Sequence, residues 1–400
     1  MSELLLGIGV LAAVFVGYNV GGSTTGPAFG PAIGAGVIGK GVAAALMSGC
    51  FLLGALTVGP EVVLTLSRDL LRDPSVFTLR SSVAVLLVIG GALFLGNYAG
   101  VPASTSMTAV GAIAALGSAT GTLAWSALGE IVVAWLVAPV VGFWVAGVVG
   151  RYWYPRLAAW LALEERGADR ARARPMVTVV SSGLVPWLRI RSTDGRRQRI
   201  GAAAVVGVGC LMAYASGTSN VANAVAPLYA IDALELDALI LLGSGAVALG
   251  AFTIARRTLE TLGDDLTRLP LPAAIIVAVI SSVLVVALSA VGIPASFVVI
   301  ATTCIIGLGW GRATRTTTLA DAARGEDTPV SVGALAADDE NGDSEPAPPI
   351  GEETASDVPA TAELFDPATT ARVLVVQNLV PAVATVGAFV LFRFAPVVGA

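Results

Sequence analysis

The chain has 400 residues, 56% hydrophobic and 13% charged, a formal net charge of −5 and no histidine. The missing imidazole excludes histidine general bases, histidine metal sites and histidine-dependent triads. Repeated uncharged runs of about 15 to 20 residues approach or reach the length that crosses a ~30 Å hydrocarbon layer as helix, and they lack the alternation of a membrane barrel, so the chain reads as an all-α integral membrane protein.

The first run, 3-ELLLGIGVLAAVFVG-17, has no basic leader and is expected to remain as a span, not to be removed as a signal peptide. It passes into a polar stretch, 17-GYNVGGSTTGP-27. Further elements are expected at 26–57 (as two), 81–99, 102–120 and 123–150, which completes a first membrane repeat over 1–150. Glu61 and Glu130 fall near element ends, where an acid reaches the interface. Tyr152, Trp153 and Tyr154 beside Arg151 read as an interfacial anchor.

A linker over 151–200 follows. Residues 151–199 hold eleven Arg against four acids, the bias that keeps a loop cytoplasmic. The second repeat, 201–311, should contain elements at 201–215, 217–230, 236–255, 273–291 and 294–311. Residues 312–371 hold thirteen Asp or Glu with few large apolar side chains, which predicts a disordered acidic loop. A final transmembrane helix is expected within 372–400. Cys50, Cys210 and Cys304 lie far apart in apolar runs without CxxC spacing, so they read as small packing residues. The Gly-rich 34-GAGVIGKG-41 lacks the P-loop pattern and reads as a helix-packing surface.

The two halves repeat. We align 17-GYNVGGSTTGP-27 with 217-GTSNVANAVAP-227, 53-LGALTVGPEVVLTL-66 with 249-LGAFTIARRTLETL-262, and 100-GVPAS-104 with 292-GIPAS-296. Three blocks in one order indicate duplication, the architecture of many secondary transporters.

Hydroxyls and amides inside apolar sequence are costly in lipid, so they must face protein or a water-filled cavity. In 213-AYASGTSNVANAVAPL-228, Gly217 and Pro227 at the ends favour a broken helix with freed backbone groups. The run 100-GVPASTSMTAVGA-112 puts Ser104, Thr105, Ser106 and Thr108 after Pro102, in a first helical turn where backbone amides and partial positive charge suit an oxyanion. Basic residues in both 66–80 and 151–199 put these two segments on the same, cytoplasmic side, which makes 102–120 a re-entrant hairpin. Apart from Lys40, no basic residue lies well inside a membrane element.

These residues resemble the inorganic phosphate transporter (PiT) family, whose signature is G-A-N-D-x-A-N-A in each of two inverted halves, followed by G-x-P-x-S-T-x-H. The stretch 217-GTSNVANAVAPL-228 is similar to the second copy, and 17-GYNVGGSTTG-26 to an altered first copy. The run 100-GVPASTSM-107 matches the second motif well, and 292-GIPASFVV-299 matches it through the Ser. Both signature Asp positions are replaced, by Val20 and Asn220, and the His by Met107 and Val299.

The resemblance implies two pseudo-symmetric, inverted repeats with re-entrant or broken elements, in a multi-pass protein of the cell membrane. It implies a secondary transporter, not an enzyme, moving an inorganic oxyanion, most simply phosphate. The positions carried over are Asn19, Ser23, Ser104, Thr105, Ser106, Ser219, Asn220, Asn223 and Ser296, with a sodium site near Asn19 and Asn223. No cofactor is expected. The coupling ion is sodium or a proton, but loss of both acids weakens a cation site and makes the pocket more tolerant of a dianion such as sulfate. The alternatives are therefore a sulfate or other oxyanion carrier, and a non-transporting paralogue acting as a sensor or partner subunit. The expected partners are the oxyanion, the bilayer and other copies of the chain, with no nucleic acid.

Overall fold

The computed structural model describes residues 2–98, 104–161, 177–180, 187–190, 196–261, 271–314 and 367–395. Residues 315–366 of the expected acidic loop lie outside these, as do Gly100, Val101 and Pro102. The chain folds into α1 (Ser2–Gly34), α2 (Lys40–Thr57), α3 (Gly59–Leu64), α4 (Leu79–Tyr98), α5 (Thr105–Thr120), α6 (Trp125–Tyr152) and α7 (Tyr154–Leu161). A two-stranded antiparallel hairpin, β1 (Val177–Val180) and β2 (Trp187–Ile190), follows. The chain continues with α8 (Arg196–Tyr229), α9 (Leu236–Thr261), α10 (Leu271–Ala290), α11 (Phe297–Ala313) and α12 (Pro367–Phe394).

Among the described residues seven helices are long and apolar enough to cross a membrane, which makes the chain a multi-pass membrane protein. The 16 residues of α5 and 17 of α11 reach only about 24 to 26 Å at 1.5 Å per residue, less than a full crossing. Large apolar side chains such as Leu136, Val140 and Trp144 stand exposed on α6, as a lipid-facing surface requires.

The expected helix breaks at the polar stretches do not occur. Helix α1 runs through Pro27 and Pro31, and α8 joins the elements expected at 201–215 and 217–230 while containing Pro227. Inside a bundle, hydroxyls and neighbouring helices can satisfy backbone groups that a proline frees. In α1, Ser23 and Thr24 donate to the Val20 carbonyl and Thr25 to that of Gly21, in the turn before the Ser23 carbonyl that Pro27 frees. The break falls instead between α2 and α3, at Val58, with Pro60 in the first turn of α3, and α3 continues as a π-helical turn over Thr65–Asp69.

The halves pack by exchange. Helix α1 lies on α9 and α2 on α8, while α6 lies on α11 and α5 on α12. Tyr18 of α1 bonds Thr253 of α9 at 3.0 Å, and Tyr214 of α8 bonds Thr57 of α2 at 2.9 Å. A Cβ on Gly250 would overlap the Tyr18 carbonyl, and one on Gly54 that of Tyr214. One on Gly21 would overlap the Val247 carbonyl, and one on Gly217 that of Phe51. All these matched positions are 196 residues apart, which also equates Ser23 with Ser219 and Pro31 with Pro227. This replaces the offset of 200 read from the polar stretches, because close backbone approach, not the polar letters, fixes the register. Helices α1 and α8 pass each other antiparallel, with Gly9 against Leu228 and Gly209 against Ala28 and Phe29.

Candidate functional site

The polar stretch of α8 meets the first turn of α5 and the loop before α11 in one buried cluster. Thr105 Oγ1 donates to Asn220 Oδ1 at 2.5 Å, and that oxygen also accepts from Asn223 Nδ2 at 3.2 Å. Asn220 Nδ2 donates to Ser216 Oγ at 3.0 Å. Ser219 grips Ala295 from both sides, accepting from its amide at 2.9 Å and donating to its carbonyl at 3.1 Å. Ser106 donates to the same carbonyl at 2.9 Å and lies 3.4 Å from Ser219 Oγ. Trp135 Nε1 on α6 holds the adjacent Pro294 carbonyl at 2.7 Å.

These arrangements follow from local sequence. Ser104 caps α5 through the Met107 amide, leaving the Thr105 and Ser106 amides without helical acceptors. Ser296 stands at the start of α11 and makes no side-chain cap bond, although it is buried. The amide of residue 227 is missing because it is proline, so the Asn223 carbonyl loses its helical donor. Asn223 Oδ1, in a side chain only 1% exposed, has no hydrogen-bond partner among the described residues either. The site thus offers hydroxyls, amides and two acceptor oxygens on Asn223, and none of its side chains carries a formal charge.

Of the residues expected from sequence, Ser104, Thr105, Ser106, Ser219, Asn220, Asn223 and Ser296 gather here. Asn19 and Ser23 do not bond to this cluster among the described residues. Asn19 donates to the Phe15 carbonyl at 2.8 Å and accepts from Asn97 Nδ2 at 3.2 Å, while Ser23 turns back on its own helix. In the structural register the counterparts of Ser219 and Asn220 are Ser23 and Thr24, so Asn19 lies one turn early. The sequence reading did not single out Asn97 or the Ala295 backbone. The lone amide of Asn97 in the apolar run 81–99 was a signal available in the sequence.

A groove of about 680 Å³ between α6 and α10 is lined by apolar residues and Glu130. It lacks the donors an oxyanion needs, which the buried cluster holds. Trp135→Phe should destabilise the detergent-solubilised protein by about 1 to 3 kcal/mol, because the Pro294 carbonyl loses its donor. In the same melting experiment Trp125→Phe, at a site 64% exposed, should change little.

Residues 20–330 match the model of the phosphate transporter family. The Sulfate permease CysP of Bacillus subtilis is 29% identical over 308 residues, covering 76% of this chain and 77% of that protein. A solved structure titled "The sodium-dependent phosphate transporter" superposes with a TM-score of 0.65 at 15% identity, covering 97% of this chain and 98% of the other, which establishes a shared fold. With a family match across most of its length and a transporter fold around a buried, uncharged polar cluster, the chain belongs to the phosphate transporter family.

Proposed function

We propose that this protein is a secondary carrier of an inorganic oxyanion, most simply phosphate, whose substrate is held where α8 meets the first turn of α5 and the start of α11. The observation that carries this reading is the cluster of Thr105, Ser106, Ser219 and Asn220 around two helix N-termini, inside a membrane bundle. Such a cradle replaces water around an anion with hydroxyls and backbone dipoles. The side chains now bond to one another, so binding an anion requires Thr105 to separate from Asn220 and Ser106 from Ser219.

The antiparallel passage of the equivalent helices α1 and α8 supports an inverted duplication, and rocking between two such halves gives alternating access. We place the basic segment 151–200 on the cytoplasmic side. The two acceptor oxygens of Asn223 support a cation beside the anion, and sodium suits oxygen-only ligands. A related protein described as sodium-dependent agrees with that choice.

Sulfate is the second reading. It is favoured by neutral side chains where the family signature carries acids, Asn220 in the second copy and, in the first, Val20 by sequence or Thr24 in the register of the fold, and by the similarity to a sulfate permease. A dianion meets no carboxylate there. The test is uptake of labelled phosphate and labelled sulfate into proteoliposomes, with and without a sodium gradient. Saturable uptake of one anion names the substrate, and a gradient effect names the coupling. Uptake of neither by correctly inserted protein rejects a carrier in favour of a sensor or partner subunit.

A further inference from the structure

Cys50 on α2 and Cys210 on α8, separated by 160 residues of sequence, meet in the bundle. Their side chains lie against each other in the seam between these helices, and both thiols are free and partly exposed. Their meeting follows from the glycine seam. Helices α2 and α8 run parallel, with Gly54 on the Tyr214 backbone and, one step further along both, Gly59 at the start of α3 on Val221, so the turn before Gly54 that carries Cys50 faces the turn before Tyr214 that carries Cys210. Cys304, by contrast, is buried between α6 and α11, where its sulfur faces Gly142. At the offset of 196 the positions equivalent to the pair are Val14 and Ala246, so the matching seam between α1 and α9 has no thiol at them. The pair is thus a feature of one seam and not of the repeat.

We propose that Cys50 and Cys210 are a modification site, a dithiol that a membrane-permeant peroxide converts to a disulfide joining the two halves of the protein. One thiol loses its proton and its sulfur attacks the peroxide, forming a sulfenic acid and releasing hydroxide, which takes up that proton as water. The second thiol then displaces the sulfenic oxygen as water, so two thiols and one hydrogen peroxide give one disulfide and two waters. The close packing of α2 on α8 already holds the second thiol beside the first.

The test uses the full chain in proteoliposomes, treated with hydrogen peroxide and then cut by trypsin at the arginines between 162 and 176. On a gel without reductant the two fragments should stay joined, and dithiothreitol should separate them. Maleimide counting on denatured protein should fall from three thiols to one. Cys50→Ser and Cys210→Ser should each abolish the joining, while Cys304→Ser should leave it. Fragments that separate after oxidation with all three thiols still countable would overturn the proposal, and so would joining that persists in Cys50→Ser.

Discussion

Asn223→Ala should lower oxyanion uptake at least about 30-fold, the equivalent of about 2 kcal/mol lost when a charged ligand loses a buried polar partner. The residue donates to Asn220, its side-chain oxygen has no donor among the described residues, and its backbone carbonyl has no helical one. Alanine removes the side-chain amide from both of its roles while keeping the helix. Asn220→Asp is the complementary experiment. It restores the acid of the family signature beside Thr105, so uptake should come to depend on sodium or on a partly protonated anion, and sulfate should be disfavoured. Equal uptake by wild type and Asn223→Ala, at equal amounts of inserted protein, would sink the assignment of the site.

Gly217→Ala should destabilise the protein by about 1 to 3 kcal/mol, because the new methyl overlaps the Phe51 carbonyl and must push α2 away from α8. Gly250→Ala should cost a similar amount at the equivalent contact with the Tyr18 carbonyl. Gly245, on the same helix α9, has open space where its Cβ would lie. Gly245→Ala should therefore be neutral or stabilising by about 0.5 to 1 kcal/mol, since alanine is the better helix former. Melting of the three purified variants in one detergent checks both signs. Similar melting of Gly217→Ala and Gly245→Ala would remove the seam as a source of stability.

Much of this architecture was legible in the chain. The elements expected at 81–99 and 273–291 appear as Leu79–Tyr98 and Leu271–Ala290, because each is an apolar run bounded by polar or Gly-Pro punctuation. The cluster of Thr105, Ser106, Ser219 and Asn220 was visible as polar residues in sequence that lipid would otherwise reject. Helix continuity through Pro27, Pro31 and Pro227 was not, since proline's effect depends on which neighbours satisfy the freed carbonyls. The repeat register was missed by one helical turn because Gly17 and Pro27 resemble Gly217 and Pro227 as letters, whereas the backbone contacts select Gly21 and Pro31. Nor does sequence spacing reveal that Cys50 and Cys210 share a seam.

The exchange of contacts between halves also sets an order of assembly. The partner of α1 on α9 lies about 230 residues later in the chain, which takes roughly 10 to 50 s to synthesise at about 5 to 20 residues per second. During that interval α1 has α4 beside it, but Gly17 and Gly21 of α1 and Gly54 of α2 have no native partner, because they close on α9 and α8. The bundle can therefore close only after α8 and α9 enter the bilayer, and the newly inserted first half is the stage most exposed to pairing with the wrong helix or to degradation.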